Sequence, residues 1–184
     1  MRIVRGLLDS FLTQTAALKS RLSDRTDSEH EQAILRIAII GLITAFMWGR
    51  VTSSPSGSIS DHDRLLLVGL ALFFVLAIGI FVCICIWPAS NIPRRVIGML
   101  ADAGGTTFAL SLAGDSGVGL VGVYLFITFG NGFRYGRKYL FLCQVLCLAG
   151  FFPVVLAAPW WRDQPYIGWG LMCSMILLPA NSSP

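Results

Sequence analysis

Residues 65–87 read LLLVGLALFFVLAIGIFVCICIW, with no charge and no proline from Leu65 to Trp87. A helix rises about 1.5 Å per residue, and about 20 apolar residues cross the ~30 Å hydrocarbon core of a bilayer. This stretch alone predicts a membrane-crossing helix, and the chain around it repeats the pattern. Further apolar runs cover Ile34–Trp48, Val96–Ala113, Val118–Phe129, Tyr139–Ala158 and Tyr166–Pro179. Tyr139–Ala158 is long enough by itself. The runs Ile34–Trp48, Val96–Ala113 and Val118–Phe129 need polar shoulders such as Arg36, Arg50 and Arg134, and the run from Tyr166 is short. The expected fold is all-α: a polytopic membrane helical bundle of about six transmembrane helices.

The basic residues set an orientation. If the N-terminal arm is cytoplasmic, that side holds Arg2, Arg5, Lys19, Arg21, Arg25, Arg94, Arg95, Arg134, Arg137 and Lys138, ten in all. The far side holds three, Arg50, Arg64 and Arg162, and Arg36 lies within the first run. An excess of Lys and Arg on short loops marks the cytoplasmic face. Six crossings then put both termini in the cytoplasm. The far-side loops include the flexible, uncharged Ser53–Ser60 and the segment Pro159–Tyr166, whose two tryptophans are expected at the headgroup level.

Composition supports a membrane class. The chain has 184 residues, is 55% hydrophobic and only 13% charged, and carries a net charge of +4. Soluble domains have about 25% charged residues. The charge reflects topology and contact with membrane lipid, and no nucleic-acid partner is expected. MRIVRGLLDSFL at the start is interrupted by Arg5 and Asp9, so no cleaved signal peptide is expected. Cys83, Cys85, Cys143, Cys147 and Cys173 all lie in apolar runs and read as small packing residues. No P-loop, GxSxG, HExxH or CxxC pattern occurs. No catalytic residue, metal ligand or cofactor is therefore assigned to this chain.

The chain divides into an arm and hinge over 1–26, a bundle over 27–180 and a short tail over 181–184. In the arm, Ile3, Val4, Leu7, Leu8, Phe11, Leu12 and Leu18 recur at helical spacing, with Arg2, Arg5, Asp9, Lys19 and Arg21 largely outside the stripe. That pattern predicts an N-terminal amphipathic interfacial helix on an anionic membrane face, or one packed on a soluble partner domain. The hinge offers two helix-start signals, Thr26-x-x-Glu29 and Ser28-x-x-Glu31. Glu29, His30 and Glu31 could instead form a ligand or proton site. At Asp61-His62-Asp63 the aspartates are expected to cap the second span.

Asp102 is the acidic residue well inside a span. It lies seven residues past Arg95, ~10 Å along a helix. An intramembrane carboxylate needs a partner, a proton or water. Arg36, Arg134 and Asn131 are the candidate partners, and the pair either fixes helix packing or serves signalling. Gly98, Gly104 and Gly105, with Gly117, Gly119, Gly122 and Gly130, suggest that the third and fourth spans form the tight centre of the bundle.

Four strings together carry a resemblance: LSDRTDSEHEQAILRI (22–37), RRVIGMLAD (94–102), FGNGFRYG (129–136) and PYIGWGLMCSMILLP (165–179). From about residue 20 to 179 the chain resembles the N-terminal transmembrane input domain of RpfC-type hybrid sensor histidine kinases. That family senses diffusible signal factor, a cis-2-unsaturated fatty acid used in bacterial quorum sensing. The resemblance implies a bacterial inner-membrane sensor, a homodimer, joined to kinase domains that use ATP and magnesium and signal through a response regulator. It implies that the segment before the first span takes up the signal, which points to Arg25, Asp27, Ser28, Glu29 and His30. Arg36 and the Arg94–Arg95 pair are further candidates for the signal's carboxylate. Two features depart from the family. The arm here is longer, and the family is described with five spans and an outward-facing arm. The alternative reading is a small transporter or channel using Asp102 as an ion or proton site.

Overall fold

The computed structural model describes residues 29–53, 59–87, 89 and 91–180, without the side chains of 178–180. The amphipathic arm lies outside the described residues. Among these residues every regular element is helical: α1 (Glu29–Thr52), α2 (Asp61–Ile86), α3 (Ile92–Leu112), a 3-10 helix (Gly114–Leu120), α4 (Val121–Tyr135), α5 (Arg137–Ala157), the short α6 (Pro159–Asp163) and α7 (Pro165–Ala180).

Among the described residues, four segments are long and apolar enough to cross a membrane: α1, α2, α5, and the 3-10 helix continued by α4 as Gly114–Tyr135. Their outer surfaces suit lipid better than water, with Leu42 72% and Leu72 66% exposed. Six were expected. α3 is less apolar because it carries Arg94, Arg95, Asp102 and a Gly104–Thr107 run, and the apolar part of α7 is only Pro165–Leu177.

Local chemistry explains the boundaries. Ser60 caps α2, its hydroxyl accepting from the Asp63 N–H, while Asp63 pairs with Arg50 at 2.7 Å. The cap is thus Ser60 and not the aspartates: the residue before the first turn has the extended backbone that lets its oxygen turn back. Pro93 stands in the first turn of α3, where a missing N–H is harmless. Gly136 ends α4 and starts α5 at φ +90°, a backbone that L side chains rarely adopt. Gly132 completes that turn, since a Cβ there would lie 2.7 Å from Leu140.

α1 packs chiefly on α2, and α2 on α3; α3 and α4 each pack on α5, and α5 packs on α7. The closest association is α4 with α5, not the glycine-rich pair α3 and α4. Two glycines of α3, Gly98 and Gly105, instead admit large side chains. Gly105 receives Phe73, and a Cβ at Gly98 would meet the Arg36 guanidinium at 2.6 Å.

The main core lies among α3, α4, α5 and α6 and takes in Met47 of α1, Leu66 and Leu70 of α2, and Met172 and Met175 of α7. Trp161 is fully buried there, edge-on to Phe151, which in turn meets Tyr124 edge-on. The Trp161 indole N–H donates to the Leu110 carbonyl at 3.0 Å, near the end of α3 where carbonyls lack intrahelical donors. Of the two tryptophans expected at the headgroup level, Trp161 is thus turned into the protein and Trp160 is partly buried. The donor that would seek a headgroup finds a backbone partner inside. On the other side of α5, the Gln144 amide donates to the Met175 and Ile176 carbonyls of α7, each at 3.2 Å. Pro179 has no N–H to offer Met175, four residues earlier, so the side chain supplies the missing donor.

Candidate functional site

α1 presents Glu29, Gln32 and Arg36 at spacings of three and four, one face of a helix. α3 presents Arg95 and Asp102, separated by the same seven residues as Glu29 and Arg36. The signs are reversed, so two ion pairs form between the helices. The Glu29 carboxylate accepts from Arg94 through one oxygen and from Arg95 through the other, the second at 2.9 Å. About two turns on, Arg36 donates through Nε and through Nη2, the latter at 2.8 Å, to the two oxygens of Asp102. The fork geometry is the strong form of a charge-assisted bond.

Between the rungs, the Gln32 amide donates to Asn131 and its carbonyl accepts from the Tyr135 hydroxyl at 2.8 Å. The Arg95 guanidinium lies over the Tyr135 ring, 3.8 Å from its centre, and near Tyr139. Such a stack adds about 0.5–2 kcal/mol. Arg134 approaches Glu31 at 3.9 Å on a far more exposed surface. One end of α1 is thereby tied to α3 and α4 by polar side chains. Glu29 contributes one negative charge against two positive charges from Arg94 and Arg95, a local excess of one. The Arg36–Asp102 pair is neutral.

Next to these ties lies a cavity of about 270 Å³. α1 lines it with Leu35, Ile39, Ile40 and Ile43, α2 with Phe73, Leu76 and Ala77, and α4 with Val123, Phe126 and Gly130. Its polar groups are few: Gln32, Arg36, Asp102, Thr106, Asn131 and Arg134. An apolar chamber with a few convergent polar groups is the usual form of a small-molecule site.

The expected site residues thus fall into three groups. Arg25, Asp27 and Ser28 lie outside the described residues. Glu29, Arg36, Arg94, Arg95, Asp102 and Asn131 come together along α1, α3 and α4. His30 is half-buried, and its Nδ1 has no hydrogen-bond partner among the described residues. Both oxygens of Glu29 accept from arginines, and the cap expected of it with Thr26 lies outside the described residues. Gln32 and Tyr135 went unnoticed in the sequence. The signal for Gln32 was its spacing, three past Glu29 and four before Arg36. The GNGFRYG string also acquires a physical reading: Asn131 and Tyr135 bind Gln32, Arg134 faces Glu31, and Gly132 and Gly136 shape the turn.

Comparison with known proteins agrees with this framework. The chain is 35% identical over 162 residues to the sensory/regulatory protein RpfC of Xanthomonas campestris pv. campestris, in each of two strains. The match covers 88% of this chain and 22% of the relative, so the chain spans about a fifth of the length of the curated relatives it matches. No protein-family model matches the chain, and no solved structure does.

Proposed function

We propose that this chain is a membrane region of the RpfC type and the sensory input part of a two-component hybrid histidine kinase, a reading supported by its similarity to RpfC and its long apolar helices. In this reading it senses a cis-2-unsaturated fatty acid of the diffusible signal factor class. It has six spans with both termini cytoplasmic, sits in the bacterial inner membrane and works as a homodimer. Kinase domains elsewhere in the full-length protein use ATP and magnesium and pass the signal to a response regulator.

One observation carries the reading: α1 is attached to α3 and α4 through ion pairs and amide bonds across a hollow, not through close packing. A ligand that binds such an attachment more tightly in one arrangement than in another shifts the balance between them. An ion-transport role for Asp102 draws less support, because Arg36 already occupies both its oxygens.

The test is autophosphorylation of the full-length kinase in lipid nanodiscs, titrated with a cis-2-unsaturated fatty acid. A saturable change is expected, and a flat response at every concentration would sink the sensor reading. Deleting residues 1–22 should weaken the response if the arm helps capture the signal. Reporter fusions after Gly57 and after Pro184 should read periplasmic and cytoplasmic. A cytoplasmic signal at Gly57 would end the six-span topology.

A further inference from the structure

We propose that the hollow between α1 and α4 binds an aliphatic monocarboxylic acid, which enters sideways from the bilayer and shares the Arg36 guanidinium with Asp102. The choice of ligand rests on the sensor reading above. The site rests on geometry.

The walls accept a tail and the inner end accepts a carboxyl group. Ile39, Ile43, Phe73 and Val123 offer only carbon to the chamber. The Arg36 side chain is 9% exposed, a buried cation in an apolar wall. A guanidinium carries five N–H donors in a fixed fork. Asp102 engages Nε and Nη2, and both side chains line the chamber, so a second carboxyl reaches the pair from there. The mouth also suits a lipophilic guest. Leu76 on α2 and Phe126 and Phe133 on α4 line the chamber and are exposed outside it, Phe133 by 81%.

Charge decides the form in which the guest enters. Arg36 and Asp102 cancel, so an added carboxylate would leave a net negative charge in a low-dielectric chamber, at a cost of several kcal/mol. A neutral acid avoids this. Its proton is then held between its own carboxyl and Asp102, as two carboxyl groups at one site share a proton. Charge is conserved and no group is released. The surrounding charged and titratable groups are Arg134 of α4, Glu29 of α1, Arg94 and Arg95 of α3, and Cys143 and Cys147 of α5. α2 presents only apolar side chains to the chamber.

The experiment uses the full-length protein in zwitterionic nanodiscs and a cis-2-unsaturated fatty acid with a terminal diazirine. Light should attach the label to chamber-lining residues of α1, α2 or α4. The free acid should compete and its methyl ester should not. Asp102→Asn leaves Arg36 for the guest's carboxylate alone, so competition should need about tenfold less acid, the equivalent of roughly one charged hydrogen bond. The double variant Arg36→Gln/Asp102→Asn strands no charge and should lose competition by at least about tenfold. Gly130→Leu, which fills the chamber without touching a polar group, should abolish labelling. Equal competition by the ester, or by added phospholipid, would overturn the carboxyl site. So would label confined to residues 1–28 or to the outer face of α2. If autophosphorylation still answers the acid in that case, the sensor reading survives and only the chamber fails. Labelling as expected with autophosphorylation unmoved by the acid supports the chamber and fails the sensor reading.

Discussion

The two sides of this bundle are held by different forces. On one side, Trp161, Phe151, Tyr124 and Cys147 interlock among α3, α4, α5 and α6, with their polar atoms matched locally: indole to Leu110, and the Tyr124 hydroxyl to Thr107 at 2.6 Å. On the other side, α1 stands across a hollow and reaches α3 and α4 through Glu29, Gln32 and Arg36. In lipid there is no hydrophobic drive between helices, so close packing and polar bonds must supply the association. Apart from its packing on α2, α1 depends on these few bonds. The comparison teaches that a handful of side chains decide how α1 sits against α3 and α4.

The sharpest way to break the comparison is Asp102→Ala. Removing one member of a buried pair strands the other charge, and a loss of about 3–5 kcal/mol is expected. Unfolding in mixed detergent micelles measures it, and Arg36→Leu/Asp102→Leu should recover most of the loss. Full destabilisation in the double variant would mean that the residues matter as packing volume and not as a pair. A comparable effect on the other side comes from Trp161→Ala, about 3–5 kcal/mol from lost contacts and an unpaired Leu110 carbonyl. In contrast to Asp102→Ala, no partner mutation should rescue it.

Two smaller changes sharpen the picture. Gln32→Leu should cost about 1 kcal/mol in the same unfolding measurement, since interhelical hydrogen bonds in membranes are modest. It should nevertheless alter the ligand response of the full kinase, because it unties α1 from α4. If stability falls and signalling is unchanged, α1 is not the moving element. Glu31→Gln should shift stability by less than about 0.5 kcal/mol, as its contact with Arg134 is long and solvated.

Much of this was written in the sequence, though unevenly. α2 was legible because nothing interrupts Leu65–Trp87. Arg36 stood among the candidate partners of Asp102 because a buried carboxylate needs a cation and few were at its depth. The matched spacing of Glu29–Arg36 and Arg95–Asp102 was there to be read as the register between two helices. The partner of Trp161 was not legible, since a tryptophan beside Arg162 and Asp163 carries the composition of an interface. Whether its N–H finds a headgroup or a carbonyl depends on where another helix ends. Gln32 and Tyr135 were passed over for a related reason: polar residues near a span's end normally face water, and their pairing across about a hundred positions of sequence exists only in three dimensions. The chamber was beyond the sequence altogether, because a void is a property of what fails to meet.

Gln144 has a mechanical consequence. Its amide joins α5 to α7 at the carbonyl that Pro179 leaves without a donor. A helix that loses one rung of its ladder can swivel there, but this rung has been moved onto a neighbour. To rotate about its own axis, α7 must either break that bond or carry α5 with it. The joint behaves as a keyed shaft, stiff to torque and indifferent to small bending.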